Sequence, residues 1–373
     1  MREASMKMTR RDFTRSAGAL AAAPLLVSSS GAQETSASGG RRLRYCIVGL
    51  GRISMDHFMP ACKMSQAAQV AALVSGDRKK AEGQAAQYGV PAKNIYDYKN
   101  YDEIGNNPDI DAVYIALPNS MHAEYTIRAA NAGKHVLCEK PMATTVRDSQ
   151  SMVNACRAAG KKLMIAYRCH YEPTNLRAVQ LIRDGKLGTV QAIESAFGFV
   201  EKAGEWRLNR KLAGGGPLMD VGIYSLNACR YLTGEEPSKI EGYCSTIDKD
   251  GRFAEVEENV SWTMRFPSGI VASCNTTYGG QMDGYYRVHG TKGYLHVEPA
   301  FSYEGLHLKA EIKGEAPVDE PNPAKDPSQF VAEADYFARC VFENKEPRSN
   351  GEEGLRDMQL INEIYKSCGL KMS

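Results

Sequence analysis

From Leu43 onward the apolar positions follow two spacings in alternation. Tyr45–Val48, Val70–Val74, Ala112–Leu117, His135–Cys138 and Lys162–Ala166 are short apolar runs of strand length. The stretches between them, near Asp56–Met64, Lys79–Tyr88, Ala123–Ala132 and Val146–Ala159, are helix-like. Strand and helix in alternation predict a parallel, doubly wound sheet. After about Tyr167 the pattern changes. Two helix-like stretches, Pro173–Asp184 and Leu218–Leu232, flank Val190–Val200. Strand-like runs then follow one another at Lys239–Thr246, Glu257–Phe266, Ile270–Thr277, Tyr285–His289, Tyr294–Val297 and Leu306–Ile312. Turn signals such as Pro267-Ser268-Gly269 and Gly290-Thr291-Lys292-Gly293 separate them. Runs in hairpin order predict a mostly antiparallel open sheet. Pro317 to Pro327 reads as a proline-rich, acidic loop, and two closing helices are expected at Pro327–Phe342 and Glu352–Cys368.

The first 32 residues are built differently. Lys7, Arg10, Arg11 and Arg15 make a basic start, Ala17 to Val27 is a short apolar run, and Ser28-Ser29-Ser30-Gly31-Ala32 supplies small residues suited to cleavage. This is the arrangement of a secretory signal. Its apolar run is too short to cross a hydrocarbon core of roughly 30 Å as a helix. Thr9-Arg10-Arg11-Asp12-Phe13-Thr14 has the adjacent arginines and following Phe of the twin-arginine route, which carries folded proteins. Residues 1–32 are expected to be a twin-arginine signal peptide, with the export machinery as a partner and the periplasm as destination. Residues 33–42, rich in Ser, Gly and charge, read as a flexible arm.

Composition narrows the function classes. A hydrophobic fraction of 43%, 24% charged residues and no further long apolar run describe a globular protein without membrane insertion. A net charge of +2 gives no reason to expect nucleic acid as a partner. Ten cysteines in an exported chain invite a disulfide framework. Cys46 and Cys138 lie in strand-like runs, however, and Cys156, Cys229, Cys340 and Cys368 in helix-like ones, where cysteine acts as a small buried hydrophobe. A protein folded before export needs no oxidising compartment. There is no Cys-x-x-Cys, and the seven histidines form no ligand pattern with the cysteines. Free thiols and no metal are expected.

Gly49-Leu50-Gly51-Arg52-Ile53-Ser54 follows one strand and precedes a helix, the context of a dinucleotide-binding turn. The glycines permit a tight turn and close approach to a pyrophosphate, whose charge the helix N-terminus favours. Ser54 stands where the third glycine is expected and is small enough for close packing. The next strand ends Leu73-Val74-Ser75-Gly76-Asp77-Arg78-Lys79-Lys80. A carboxylate at the strand end would bind the ribose of NAD and repel a 2′-phosphate. Ser75 at that position, with Arg78, Lys79, Lys80 and Arg52 nearby, favours NADP. A small shift of register would instead make Asp77 the ribose ligand, and a solvated basic helix start is the plain alternative. An exported enzyme cannot count on fresh nicotinamide, so a cofactor loaded before export and held tightly is expected. The fold class is α/β: a Rossmann doubly wound domain at residues 43–166, then an α+β substrate and oligomerisation domain with an open sheet at residues 167–373, whose last helix is expected against the first domain.

At Cys138-Glu139-Lys140-Pro141-Met142, preceded by Leu117-Pro118-Asn119-Ser120-Met121-His122, the chain resembles the glucose–fructose oxidoreductase and inositol dehydrogenase family, from about Arg44 to the last helix. Ile95-Tyr96-Asp97-Tyr98, Ala166-Tyr167-Arg168-Cys169-His170-Tyr171, Trp206-Arg207-Leu208, Gly214-Gly215-Gly216, Asp220-Val221-Gly222-Ile223-Tyr224 and Gly351-Glu352-Glu353-Gly354 are similar to motifs of its exported glucose–fructose (aldose–aldose) branch. The resemblance implies Lys140, Asp220 and Tyr224 as catalytic residues. Tyr224 replaces the histidine of many relatives, and i, i+4 spacing would set it on one helical face with Asp220. Lys140 would lower the Tyr224 pKa and polarise the substrate oxygen, while Asp220 would orient the sugar or the lysine. The alternative for Tyr224 is a core tyrosine packing through its ring. By the same resemblance Gly49, Gly51, Arg52 and Ile53 form the pyrophosphate loop, and Ser75, Lys80 and Tyr98 hold the adenosine phosphate end. Pro118, Asn119, His122, Glu139, Lys140, Tyr167 and Arg168 line the middle and nicotinamide end, and Trp206 and Arg207 shape a sugar pocket.

The activity so implied is oxidation of an aldose such as glucose to its lactone by NADP that is not released, followed by hydride return to a second sugar, giving an alditol in a ping-pong cycle. A cofactor-exchanging aldose dehydrogenase, an NAD-dependent glycosidase of the same fold and a non-catalytic sensor are the rivals. The exported relative has a long proline-rich arm that clasps a neighbour; between Ala32 and Arg44 this chain is short and proline-free. A homo-oligomer is expected, with a dimer through the open sheet as the minimum and a tetramer as the larger possibility.

Overall fold

The computed structural model describes residues 40–372. The signal segment and residues 33–39 of the arm lie outside the described residues. Arg42, near the arm's end, is docked: its Nη2 donates to the carbonyls of Cys62 at 2.7 Å and Ser65 at 3.0 Å. Arg41 lies over the Phe342 ring.

The first layer set is β1 (Leu43–Val48), a π-helical turn (Ile53–Phe58), α1 (Met59–Met64), β2 (Ala68–Val74), α2 (Arg78–Tyr88), β3 (Ile95–Tyr96), β4 (Ala112–Ile115), α3 (His122–Asn131), β5 (His135–Glu139), α4 (Val146–Ala158) and β6 (Leu163–Ala166). All neighbouring strands are parallel, in the order β3-β2-β1-β4-β5-β6. The order reverses between β1 and β4, which places the ligand crevice above their C-terminal ends. Helix starts follow local chemistry: Asp77 accepts from the Lys80 N–H at 2.9 Å and caps α2, and Thr145 caps α4 through the Asp148 N–H at 2.9 Å. Strand β3 lies in the Ile95-Tyr96 motif and was not expected as a strand, because two residues carry no periodicity.

The second set is α5 (Pro173–Arg183), β7 (Val190–Gly198), α6 (Arg210–Ala213), a second π-helical turn (Leu218–Gly222), α7 (Ile223–Thr233), β8 (Lys239–Ser245), β9 (Asn259–Arg265), β10 (Val271–Thr277), β11 (Met282–Gly290), β12 (Gly293–Val297), β13 (His307–Ile312), β14 (Val318–Pro321), α8 (Ser328–Phe342) and α9 (Gly351–Ser367). The eight strands run β14-β13-β12-β11-β7-β10-β9-β8, antiparallel except for β7 beside β10. Burial alternates along β9, β10 and β13, so one face is covered and the other open. Strand β14 corrects the expected acidic loop: Val318–Pro321 pairs with β13 as an edge strand whose acidic residues face water.

Two features position the site. Helices α8 and α9, last in the chain, pack on the first sheet rather than the second alone. Phe330, Ala334, Phe337 and Ala338 of α8 share a core with Tyr45, Phe58 and Tyr114. On α9, a Cβ at Gly354 would lie 2.6 Å from Ile165, and one at Gly351 2.8 Å from Leu163, so the helix touches β6 directly. The second feature is the expected helix Leu218–Leu232, which begins as a π-turn before continuing as α7. A wide turn of this kind re-aims side chains and recurs at functional sites. Among the described residues no helix is long and apolar enough to cross a membrane, all ten cysteines are free thiols, and no group of metal-binding side chains gathers.

Candidate active site

Gly49 leaves β1 with φ +94°, and a Cβ there would come within 2.4 Å of the Ala116 carbonyl oxygen, so only glycine fits where β1 parts from β4. At Gly51 a Cβ would meet nothing within 4 Å; the loop backbone there is open to an approaching ligand. Ser54 is fully buried and donates to the Gly49 carbonyl at 2.6 Å. The residue that replaces the third glycine therefore closes the turn itself. Ile53 is half-buried against the core beside β1, and Arg52 is exposed, 3.9 Å from Glu205.

Beyond β2, the buried Ser75 oxygen accepts from the Asp77 N–H at 3.1 Å. One oxygen of the exposed Asp77 carboxylate caps α2 through the Lys80 N–H. Tyr98 lies flat enough on Gly76 that a Cβ there would be 3.2 Å from its ring. The Lys80 ammonium is 3.5 Å from the Leu50 carbonyl oxygen, across the glycine loop, and Lys79 is exposed beside it. Arg78 turns away to Glu82 at 2.8 Å and to the Ile95 carbonyl. A 2′-phosphate at the end of β2 would meet the Ser75 hydroxyl and the exposed lysines at the start of α2, with the Asp77 carboxylate turned to the helix N-terminus. The residues fit NADP.

The expected middle of the site divides. Pro118 opens the turn after β4, and Asn119 is buried with its amide donating to the Ala213 carbonyl at 2.9 Å, joining the first domain to α6. His122 is a correction: its two ring nitrogens lie 2.8 Å from the Pro141 carbonyl and 2.9 Å from that of Leu117. Burial lowers its pKa, and the neutral ring donates its one N–H to one of these carbonyls while packing against the other, so it braces the two strand ends. Glu139 is buried and accepts from the Tyr114 hydroxyl; burial pushes its carboxyl up.

Lys140, at the end of β5, reaches across to the second π-turn. Its ammonium donates to Asp220 twice, to the backbone carbonyl at 2.7 Å and to the carboxylate at 2.9 Å. The other Asp220 oxygen accepts from Arg207 Nε at 2.8 Å and from the Tyr278 hydroxyl at 2.8 Å. Burial opposes both charges, but each offsets it for the other: Asp220 is held well below the usual carboxylate range by Lys140 and Arg207, and Lys140 is raised by Asp220 and Tyr224. Lys140 is thus a fixed cation and not a proton acceptor. Its ammonium lies 4.8 Å from the centre of the Tyr224 ring. Asp220 and Tyr224 straddle the boundary between the π-turn and α7, so what unites them is Lys140, not one regular helical face. Phe197 and Phe301 enclose the Tyr224 ring at 5.7 and 5.6 Å. Trp206 stacks under the Arg207 guanidinium at 4.8 Å, beside the same carboxylate.

Of the two residues after β6, one expectation changes. Tyr167 is buried at the base of a small cavity shared with Lys140, Tyr224 and Asn227. Arg168 is buried too, and its guanidinium donates to the carbonyls of Phe301 and Ser302 and to Gln329, so it faces the protein and the underside of Tyr224 instead of a cofactor. Tyr278 and Tyr303 belong to the site and were not foreseen. Tyr278 follows β10 without a motif around it; Tyr303, tilted against His57 at 4.2 Å, lies in an irregular loop. The three glycines Gly214–Gly216 find their reason in close packing: a Cβ at Gly215 would lie 2.2 Å from the Tyr365 hydroxyl and one at Gly216 2.3 Å from the Glu257 carbonyl oxygen. They let the π-turn with Asp220 sit against the β5 end.

Comparison with known proteins agrees with this arrangement. Residues 43–167 match the oxidoreductase family with NAD-binding Rossmann fold, and residues 175–296 match the GFO/IDH/MocA C-terminal domain. The D-xylose 1-dehydrogenase [NADP(+)] of Haloarcula marismortui is 33% identical over 87% of this chain and 91% of its own length. A D-xylose 1-dehydrogenase (NADP(+)) of Haloferax volcanii is 31% identical over 87% of this chain and 97% of its own. The crystal structure of aldose-aldose oxidoreductase from Caulobacter crescentus, complexed with glycerol, superimposes with a TM-score of 0.85 at 45% identity, covering 88% of this chain and 98% of that one.

Proposed function

The chain belongs to this GFO/IDH/MocA oxidoreductase family, and from that footing we propose that it is an NADP-dependent sugar oxidoreductase which oxidises an aldose at its hydroxyl-bearing carbon and returns the hydride to a second sugar. The observation that carries the reading is the meeting of Lys140, Asp220 and Tyr224 at the C-terminal edge of the first sheet, the edge that also carries the glycine loop. The 45% identity to an aldose-aldose oxidoreductase supports sugar-to-sugar transfer.

Bound NADP would supply the hydride acceptor. Tyr224 would take the proton of the sugar hydroxyl in oxidation and give it back in reduction. Lys140, fixed as a cation, would stabilise negative charge on the substrate oxygen and on the phenol. Asp220 holds that ammonium in place and couples it to Arg207 and Tyr278, so the sugar meets a preset constellation. The donor would be an aldose such as glucose giving a lactone, and the acceptor a second sugar giving an alditol, by a ping-pong cycle on retained cofactor. Export by the twin-arginine route to the periplasm belongs to the same proposal, as does a homo-oligomer formed on the open sheet face, where Val271 and Tyr294 are exposed.

A second reading has its own support: the two xylose dehydrogenase relatives favour a dehydrogenase that exchanges its cofactor. One experiment separates the two. The purified, desalted protein, with no nucleotide added, is followed in the reduced-nicotinamide band while glucose and then a second sugar are supplied. A band that rises with the first sugar and falls with the second is expected. A protein that carries no nucleotide and turns over only with added NADP would replace the proposal with the exchanging dehydrogenase. Retained nucleotide that no aldose reduces would end both.

A further inference from the structure

Arg168 is a buried charge whose position the activity has not yet used. It lies one turn after β6, its side chain 4% exposed. Nη1 donates to the Ser302 carbonyl at 3.1 Å and to Gln329 Oε1 at 2.6 Å, and Nη2 donates to the Phe301 carbonyl. All three acceptors are neutral. Among the described residues Arg168 forms no ion pair, and its Nε–H is buried with no hydrogen-bond partner. A buried guanidinium without a carboxylate is costly, and sequences avoid it unless the charge is used. Lys140 offers a contrast, since much of its charge is neutralised by Asp220 at 2.9 Å.

The guanidinium sits between two phenol rings. Its central carbon is 5.1 Å from the centre of the Tyr224 ring and 4.5 Å from that of Tyr303. The charged or titratable groups around Tyr224 come from several elements: Lys140 from β5, backed by Asp220 in the π-turn; Tyr167, Arg168 and Cys169 after β6; Tyr231 from α7; and Tyr303 from the loop after β12. Around Arg168 itself stand Glu139 and Glu333, two carboxyls that burial pushes up and the Arg168 charge pulls back down; neither forms an ion pair with it. Cations thus face the Tyr224 ring from two sides, and among the described residues Arg168 is the one without an ion-pair partner.

We propose that Arg168 is a positioning residue of the sugar reaction, a structurally anchored cation that holds Tyr224 in the state able to take the hydroxyl proton. It rests on the proposed sugar oxidation and adds a residue to it. In that step the sugar O–H proton goes to the Tyr224 oxygen as the hydride leaves the same carbon for the nicotinamide, and the carbonyl forms; Arg168 exchanges no proton. Its anchors on residues 301–302 and 329 make it rigid, so its field is present before the sugar arrives.

The test compares Arg168→Gln, which keeps hydrogen bonding but loses charge, with Arg168→Lys, which restores charge. Two readouts are taken on the purified proteins: the pH profile of sugar-dependent cofactor reduction, and the tyrosinate absorbance titrated with pH, with Tyr224→Phe identifying the Tyr224 signal. In Arg168→Gln the acidic limb of the rate profile and the Tyr224 signal are expected to move together to higher pH by about one unit or more, with the rate at neutral pH falling about tenfold, while Arg168→Lys recovers part of both. An unmoved Tyr224 signal in Arg168→Gln overturns the proposal, as does an equal loss in both variants with no shift of either profile, which would mark a purely structural anchor. If Arg168→Gln does not fold, Gln329→Ala serves, since it loosens an anchor and keeps the charge; a full shift in that variant would also overturn it. The absorbance titration needs no sugar, so failure of the wild type to oxidise any aldose would defeat the proposed function without being mistaken for failure here.

Discussion

The two ends of the crevice are built on opposite principles. At the adenosine end the parts are backbone geometry, one hydroxyl and exposed cations, all supplied by two contiguous segments, Gly49–Ser54 and Ser75–Lys80. At the reacting end the parts are charges from distant segments, Lys140, Arg168, Arg207 and Asp220, with the Tyr278 hydroxyl bonded to the last, and most of them are tolerable only through each other. Exposed charges tolerate change because water screens them; buried ones do not, because removing one strands its partner. Damage should therefore stay local at the first end and spread at the second.

The strongest way to break this contrast is Lys140→Met. Sugar-dependent cofactor reduction should fall about 1000-fold or more while NADP affinity changes less than about tenfold, measured by single-turnover absorbance and by titration calorimetry. A comparable loss of affinity would mean the two ends are one cooperative unit.

Next is Asp220→Asn, which should cost about 100-fold in rate and about 3 kcal/mol in stability near neutral pH, since Lys140 and Arg207 lose their shared counter-charge. The pH dependence gives a sharper check. Asp220 is depressed below its ordinary value near 4, so its ionised form contributes stability that is complete above about pH 4 and is lost as pH falls through the depressed native value. The gap in melting temperature between wild type and Asp220→Asn should narrow below about pH 4. A gap independent of pH would remove the ion-pair explanation.

The smallest effect is expected at the screened end. Ser75→Asp should weaken NADP by about 30-fold through repulsion of the 2′-phosphate, strengthen NAD, and leave the rate of the loaded enzyme and its melting temperature nearly unchanged. Equal weakening of NAD and NADP would mean that Ser75 packs but does not discriminate.

The same contrast explains what was legible in the sequence. The alternation of runs between Leu43 and Ala166 and the hairpin order after Lys239 located most strands, because periodicity reports burial. The glycine loop and Ser75 could be read because backbone geometry and nearby charges are written in consecutive residues. Lys140, Asp220 and Tyr224 were found by resemblance, but the backbone that carries the last two was not: regular helical spacing was assumed where a π-turn stands. Tyr278 lies 58 residues from the carboxylate it serves, and no local pattern records such a bond. His122 and Arg168 show the converse error, in which a motif residue was assigned to a ligand while the fold spends it on carbonyl groups. Strands β3 and β14 escaped because one is too short for any period and the other is coloured by its acidic edge.

The packing of α8 and α9 on the first sheet has a consequence for synthesis. Strand β1 leaves the ribosome early, but the helices that cover its sheet, with Phe337 against Tyr45 and Gly354 against Ile165, are translated last. At typical elongation rates that leaves an unfinished, sticky half-protein on the ribosome for on the order of tens of seconds. The core that α8 shares with β1 and β4 is therefore complete only when the last residues of the chain have been made.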